Sequence, residues 1–156
     1  MTSGDPISST PVVVRRGRVA WLTRPPEGAG HMSVQSGAFG HIALSVPEAD
    51  PVPHEATPGE LLAVTHGFFL AWTLAEELLA AGAQAQELAV EAACTFAGPV
   101  ADRMLQSVEL QVTARVRGLE RTNFDAIVAR AKRRYPRAAG LQCEATIRAE
   151  LIDPTV

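Results

Sequence analysis

The sequence has few of the residues that build disulfide frameworks or closed metal sites. Its 156 residues include two cysteines, Cys94 and Cys143, which are too few for either kind of structure. The histidines of the N-terminal part, His31, His41 and His54, lie in separate segments without the spacing of metal ligands. We therefore expect a protein of a reducing compartment that holds no metal and no other cofactor.

The sequence also has little net charge. The formal net charge is −3 at pH 7, which gives no electrostatic footprint for binding nucleic acid or an anionic membrane. The basic side chains between positions 130 and 137 stand at the end of a predicted helix, where the helix dipole favours cations. Nucleic acid is therefore not an expected partner.

Signals for export or membrane insertion are missing as well. Segment 1–10 has neither a basic start nor an apolar run, so it does not resemble a secretory signal, and we expect a loose tail. The longest apolar stretch contains His66, Glu76 and Glu77, which argues against a membrane span of about 20 predominantly apolar residues. These features predict a cytoplasmic protein, and its length favours a single domain over residues 1–156.

The most informative segment that is present covers residues 57–82, with the sequence TPGELLAVTHGFFLAWTLAEELLAAG. Thr57 suits an N-cap, Pro58 the first helical position, and Glu60 completes a capping box. Gly82 can adopt the left-handed backbone conformation that ends a helix. The predicted helix, about 36 Å long, is apolar on nearly every side, so it must be buried all round. Because the sheet of one subunit is too small to cover it, we predict that it forms the core of a homodimer.

Periodicity predicts strands on both sides of this helix and a second helix after it. Apolar and polar residues alternate most clearly over 108–117, which is typical of a strand with one buried and one wet face. A helical apolar stripe begins near Thr122 and ends at Pro136. The predicted strands are 12–22, 30–35, 39–46, 88–96, 108–117 and 143–151. This order predicts an α+β domain with its helices on one side of a mainly antiparallel sheet.

Three motifs, taken together in their order and spacing, resemble the OsmC/Ohr family. They are GAGHMSVQSG at 28–37, ATPGELLA at 56–63 followed by His66, and NFDAIVARAKRRYP at 123–136. Members of this family with two cysteines reduce organic hydroperoxides inside an intertwined homodimer. The resemblance covers almost the whole chain, and it implies an OsmC-like fold with a long central helix, a second shorter helix and a homodimeric assembly.

The residues that carry the family's thiol chemistry are replaced in this sequence. By the register of the motifs, Phe69 stands at the position of the helix cysteine and Tyr135 at that of the second cysteine. Gly59 stands at the position of the family's acid, with Glu60 next to it. The family's arginine has no clear match, although Arg24 lies near enough to be a candidate. The resemblance thus implies an inherited fold without the thiols that reduce hydroperoxides.

The two cysteines that remain occupy inward positions of predicted strands. A peroxidatic cysteine must be a thiolate at working pH, which requires a helix N-terminus or a nearby cation, and it needs access to substrate. Cys94 and Cys143 meet neither condition, and a free cysteine in a core behaves as a small hydrophobe. Packing is the preferred interpretation, and an organic hydroperoxide peroxidase that uses Cys94 or Cys143 is one alternative function.

The family places a pocket between the two helices at the dimer interface, and its predicted walls in this chain are aromatic. The first hypothesis is that this pocket binds a small hydrophobic molecule. The second is an isomerase, cyclase or hydrolase of a hydrophobic metabolite that uses His66 as acid and base. A third interpretation is that aromatic side chains fill the space of the lost thiols. The predicted ligand-binding residues are Thr65, Phe69, Trp72 and Thr73, and the predicted catalytic residues are His66, Tyr135 and Glu76.

Overall fold

The structure, a computed structural model, describes residues 15–21, 30–38, 42–44, 55–99 and 102–152. The chain divides into two compact units, Met1–Val46 and Pro47–Val156. The predicted tail, the outer parts of the first and third predicted strands, and Arg24, His41 and His54 lie outside the described residues. That residues 1–156 form a single domain stays a prediction.

The first unit contains a three-stranded antiparallel meander. Its strands β1 (Gly17–Trp21), β2 (Gly30–Val34) and β3 (Ile42–Leu44) pair in the order β1-β2-β3. Both pairs are antiparallel. Gly37, with a φ of +73°, follows β2 in the left-handed conformation that glycine adopts without strain. The three strands fall inside the predicted segments, so the predicted N-terminal meander is confirmed.

The second unit consists of helices packed on a mixed sheet. Along the chain it contains α1 (Pro58–Ala80), β4 (Ala85–Ala97), β5 (Met104–Val116), α2 (Arg121–Ala138) and β6 (Glu144–Leu151). The strand order is β4-β5-β6, in which β4 and β5 are antiparallel and β5 and β6 are parallel. The parallel pair arises because α2 forms the crossover between β5 and β6. The predicted α+β class is confirmed, and one parallel pair joins the predicted antiparallel ones.

Local sequence signals set both ends of α1. The Thr57 hydroxyl oxygen accepts a hydrogen bond from the Glu60 amide at 3.2 Å, and the Glu60 carboxylate accepts one from the Thr57 amide at 2.8 Å. This reciprocal pair is the predicted capping box. After the helix, Gly82 adopts a φ of +73°, and the amide of Ala83 donates to the Leu78 carbonyl at 2.9 Å. The predicted stop at Gly82 is therefore confirmed.

The second helix ends later than the sequence predicts. Pro136 lies inside α2, and the predicted end at this residue is wrong. The amide of Ala139 still donates to the carbonyl of Tyr135 at 2.9 Å. Proline lacks its own amide donor, but the residues after it keep theirs, so the last turn of the helix closes beyond Pro136.

The core lies between the two helices and one face of the β4-β5-β6 sheet. The inward residues of β5 are at most 2% exposed, and Glu109 and Gln111 between them are exposed on the other face. This alternation confirms the predicted half-buried strand. The inward residues are Val108, Leu110, Val112, Ala114 and Val116. From α2 the core takes the predicted stripe, which is Phe124, Ile127, Val128, Ala131 and Tyr135.

Helix α1 buries one face and leaves an apolar stripe exposed on another. Its Leu70, Leu74 and Leu78 are each 1% exposed and belong to the core. The exposed large apolar side chains, which we call the apolar stripe, are Val64, Phe68, Trp72 and Leu79. The predicted burial of α1 on all sides is thus incomplete within one chain. Across the described ranges, neither helix has the length and apolar character that a membrane span requires.

Candidate functional site

Helix packing brings two predicted site residues, His66 of α1 and Tyr135 of α2, into direct contact. The Tyr135 hydroxyl oxygen lies 3.0 Å from Nδ1 of His66, although the two residues are 69 positions apart in the sequence. Their rings meet edge to face, with an interplanar angle of 68°. His66 is 4% exposed and Tyr135 is 0% exposed. Together they form a buried hydrogen-bonded pair, the His66–Tyr135 pair.

Burial sets the charge state of this pair. It raises the pKa of Tyr135 to about 12, and the nearby Cys94 and Cys143 add to the increase. Burial also lowers the pKa of His66 below its ordinary value of 6.5. Both changes favour the uncharged form, because removing a charge from water is unfavourable. At pH 7 the pair is therefore a neutral imidazole bonded to a neutral phenol.

A cleft of about 510 Å³ opens beside His66. Its volume lies in the range of pockets that take small molecules. The walls come from three parts of the second unit: Leu62, Thr65 and His66 on α1, Met104 and Leu105 at the start of β5, and residues 139–143 between α2 and β6. None of the described residues that line it is Asp, Glu, Lys or Arg. We call this neutral cavity the His66 cleft.

Other hollows of the second unit lie away from the pair, and two of them show the contrast with the His66 cleft. A smaller cavity of about 220 Å³ on the outer face of the sheet is bordered by Glu109 and Arg148. A groove of about 500 Å³ between α1 and β4 is bordered by Phe68 and Val90. His66 borders neither of them. The His66 cleft therefore combines a cavity of ligand size with the titratable pair.

The two cysteines are half-buried and pack against the core. Burial raises the pKa of Cys94, and the neighbouring Cys143 adds to the increase. A thiol with a raised pKa is a poor nucleophile near neutral pH, because the thiolate is the reactive form. Cys143 borders the His66 cleft. Among the described residues, no group of three or more histidine, cysteine, aspartate and glutamate side chains is placed to hold a metal ion.

Three of the predicted ligand-binding residues lie on the part of α1 around His66. Thr65 borders the cleft, and its hydroxyl donates to the Leu61 carbonyl at 2.8 Å. Phe69 is half-buried and packs against the core. Thr73 is buried, and its hydroxyl donates to the Phe69 carbonyl at 2.7 Å. Of these three residues, the structure places Thr65 at the His66 cleft, and Phe69 and Thr73 are not among its lining residues.

Trp72 and Glu76 lie away from the pair. Trp72 is 54% exposed, and its ring centroid lies 6.1 Å from that of Phe68 in the apolar stripe. At 3.6 residues per turn, position 72 points about 120° away from position 66. Glu76 lies about 15 Å further along the helix than His66, and it forms an ion pair with Arg134 at 2.7 Å. The structure therefore does not bring Trp72 or Glu76 to the His66–Tyr135 pair.

Ion pairs of Glu77 link α1 to α2. Its carboxylate accepts hydrogen bonds from Nη1 of Arg134 at 2.6 Å and from Nε of Arg130 at 2.8 Å. The bond to Arg134, followed by that to Arg130, lowers the pKa of Glu77. With Glu76 these residues form what we call the ion-pair cluster. The spacing of the two arginines, four positions apart on α2, is the sequence signal that points to it.

The far wall of the cleft is not predictable from the sequence. Leu62 lies one helical turn before His66, so helical spacing does indicate this near-wall residue. Helical spacing does not indicate the residues of the far wall, which are Met104, Leu105 and residues 139–143. Their positions depend on where β5 begins and on the path of the chain after α2. No periodic pattern in the sequence marks either feature.

These elements define the class of the protein. The OsmC-like α+β fold consists of an antiparallel meander, a long capped helix, two long antiparallel strands, a second helix and a third strand parallel to its neighbour. The prediction of this fold is confirmed by solved structures.

Several solved structures share the fold across nearly the whole chain. An OsmC-like protein of unknown function from Vibrio cholerae is 13% identical, with a TM-score of 0.72 and coverage of 89% of this chain and 100% of that chain. An organic hydroperoxide resistance protein from Elizabethkingia anophelis is 13% identical, with a TM-score of 0.66 and coverage of 92% and 99%. The organic hydroperoxide resistance protein OhrB of Bacillus subtilis is 14% identical, with a TM-score of 0.60 and coverage of 88% and 98%.

The likeness is one of structure and not of sequence. No protein-family model matches the chain, and no curated protein matches it. Identities of 13% and 14% establish the shared fold alone. What the chain does must therefore be argued from its own residues.

Proposed function

We propose that the protein is a member of the OsmC/Ohr family that has lost the thiol-peroxidase cysteines and binds a small hydrophobic molecule. We assign the ligand to the His66 cleft, and the predicted pocket at the dimer interface stays a prediction. The shared fold supports the family assignment. Phe69 and Tyr135 stand where the motif register places the two thiols, and both side chains pack in or against the core. Tyr135 is bonded to His66 and offers no thiol chemistry.

The observation that carries the proposal is a neutral cleft beside a neutral polar pair. Leu62, Leu105 and Leu141 give the cleft apolar walls, and His66 and Cys143 are the titratable side chains among its described lining residues. Removing apolar surface from water contributes about 25 cal/mol per Å². A ligand with an apolar body is therefore favoured, and His66 supplies a polar contact.

The test is binding of a simple apolar probe to the full chain. We expect butylbenzene to show saturation transfer in ligand-observed NMR, because it matches the apolar walls of the cleft. Thr65→Trp places a large side chain at the cleft and should abolish the signal. Thr122→Trp, a matched change at an exposed position of α2, should leave it unchanged. Equal binding by both variants, or no binding by the unaltered protein, contradicts the proposal.

We also propose that the protein is a homodimer in which the apolar stripe is a contact surface. Val64, Phe68 and Leu79 are 70%, 63% and 73% exposed in the single chain. Contiguous apolar surface of this kind is typical of protein–protein contacts. A second copy presents the same stripe, so a twofold axis lets each stripe cover the other. The family resemblance also implies a homodimer.

That the protein is cytoplasmic stays a prediction.

A second candidate function is a cysteine-independent enzyme, and the His66–Tyr135 pair is the observation that favours it. An isomerase, cyclase or hydrolase of a hydrophobic metabolite would use His66 as acid and base, with Tyr135 assisting. Glu76 is bonded to Arg134 and is not part of this candidate site. Mass spectrometry of a metabolite extract incubated with the protein tests this function. A product that is absent with His66→Leu supports it, and an unchanged extract argues against it.

A further inference from the structure

The hydroxyl of Tyr135 has one hydrogen to donate and one acceptor in reach. It is fully buried, and within the described residues it hydrogen bonds to Nδ1 of His66, at 3.0 Å, and to no other atom. If Nδ1 carried a proton, the phenol hydrogen would be buried without an acceptor, which is unfavourable. The arrangement that satisfies both groups has the Tyr135 hydroxyl donating to Nδ1.

This direction of donation fixes the tautomer of His66. A neutral imidazole carries one ring proton, so when Nδ1 accepts a hydrogen bond the proton is on Nε2. Burial keeps the ring neutral by lowering its pKa. Nε2 makes no hydrogen bond to any described residue, and it is not among the fully buried polar atoms that lack a partner. His66 borders the cleft, so an Nε2–H that reaches it is a hydrogen-bond donor to a ligand there.

The other groups around the cleft set the polarity that a ligand must have. Leu62, Leu105 and Leu141 are apolar, and the Thr65 hydroxyl already donates its hydrogen to the Leu61 carbonyl. Gln142 and Cys143 add an uncharged amide and a thiol to the lining. The described lining residues include no Asp, Glu, Lys or Arg. A charged ligand would lose its hydration without gaining an opposite charge. The cleft therefore fits a neutral molecule with an apolar body and a hydrogen-bond acceptor.

We propose that the His66 cleft selects neutral apolar carbonyl compounds, whose oxygen accepts a hydrogen bond from the Nε2–H of His66. A carbonyl oxygen accepts without bringing a donor that would need a further partner. Tyr135 acts as a positioning residue, because it does not line the cleft but holds His66 in the tautomer that donates. This inference rests on the proposed function, since it names the ligand class of the same cleft.

The tautomer is tested directly by long-range ¹H–¹⁵N correlation NMR of the labelled full chain at pH 7.5. We expect the two ring nitrogens of His66 to report a protonated Nε2 and an unprotonated Nδ1. Tyr135→Phe should convert this signature to a mixture of the two tautomers. Thr113→Val, which removes a hydroxyl from the half-buried Thr113 on β5, should leave it unchanged. A protonated Nδ1 in the unaltered protein overturns the proposal.

The ligand class is tested with 4-phenyl-2-butanone and butylbenzene as paired probes. We expect His66→Leu/Tyr135→Phe, which removes both polar groups together, to weaken ketone binding roughly 2- to 12-fold, the worth of one neutral hydrogen bond. Butylbenzene affinity should change by less than about twofold, because the hydrocarbon makes no hydrogen bond. In the unaltered protein, 3-phenylpropanoate should bind more weakly than the ketone, because it is charged.

The outcomes separate this inference from the function on which it rests. If the double variant weakens ketone and hydrocarbon equally, or weakens neither, the carbonyl contact is refuted while hydrophobic binding stands. Tighter binding of the carboxylate than of the ketone also refutes the proposed ligand class. If neither butylbenzene nor the ketone binds the unaltered protein, the proposed function itself fails.

Discussion

The His66–Tyr135 pair predicts a measurable coupling in the free energy of unfolding. Tyr135→Phe removes one hydroxyl and leaves Nδ1 of His66 as an acceptor without its donor. A neutral hydrogen bond contributes about 0.5–1.5 kcal/mol net, and an unsatisfied buried group costs about 1–3 kcal/mol. We therefore expect this change to lower the free energy of unfolding by about 1–3 kcal/mol. Each kcal/mol corresponds to about 2–4 °C in melting temperature for a chain of this size.

Removing both partners should cost less than the sum of the two single changes. In His66→Leu/Tyr135→Phe neither group is left without its partner, so a coupling energy of about 0.5–3 kcal/mol is expected. Urea unfolding at pH 7.5, followed by circular dichroism, gives the four free energies, with Thr113→Val as the control. If the single changes add within about 0.3 kcal/mol, the hydrogen bond is not a source of stability, and the reasoning is refuted.

Three further predictions concern pH, thiols and assembly. Because the pKa of His66 is lowered, the unfolded chain binds a proton more readily, and stability should fall as pH drops below about 6.5. Urea midpoints at pH 7.5 and 5.5 should show this fall and show less of it in His66→Leu. Cumene hydroperoxide with dithiothreitol should not be turned over, and turnover that disappears in Cys94→Ser/Cys143→Ser would establish thiol catalysis instead. Phe68→Glu should give a monomer in sedimentation velocity, whereas Arg121→Glu, at another exposed position, should remain a dimer. A Phe68→Glu dimer would contradict the proposed contact surface.

The features that could be predicted from the sequence depend on local signals. The capping box at Thr57 and Glu60 needs residues three positions apart and no tertiary information. The alternation that buries Val108 and exposes Glu109 follows from the two-residue period of a strand. The contact between His66 and Tyr135 spans 69 positions, and here the family resemblance supplied the packing that periodicity alone does not give.

Other features could not be predicted because several arrangements satisfy the same pattern. Helix α1 is apolar nearly all round, so its periodicity does not say that Leu70 is buried while Phe68 and Trp72 are exposed. A strand has the same alternation in a parallel and in an antiparallel pair, so alternation alone does not give the pairing of β5 with β6. The signal that favours a parallel pair is the helix between the two strands, which the sequence does predict. The loop after α2, which forms one wall of the cleft, has no periodicity at all.

The ion-pair cluster has a mechanical consequence for the pair that borders the cleft. Arg134 precedes Tyr135 in the chain, so its contact of 2.6 Å with Glu77 limits how far α2 can slide along α1. One residue of a helix rises about 1.5 Å. A slip of that size would lengthen the 3.0 Å distance between the Tyr135 oxygen and Nδ1 of His66 and weaken their hydrogen bond. Two contacts therefore hold the helices in alignment: the ion pair of Glu77 with Arg134 and the neutral hydrogen bond of His66 with Tyr135. Salt screens the ion pair but not the neutral hydrogen bond, so the alignment of His66 with Tyr135 should persist at high ionic strength.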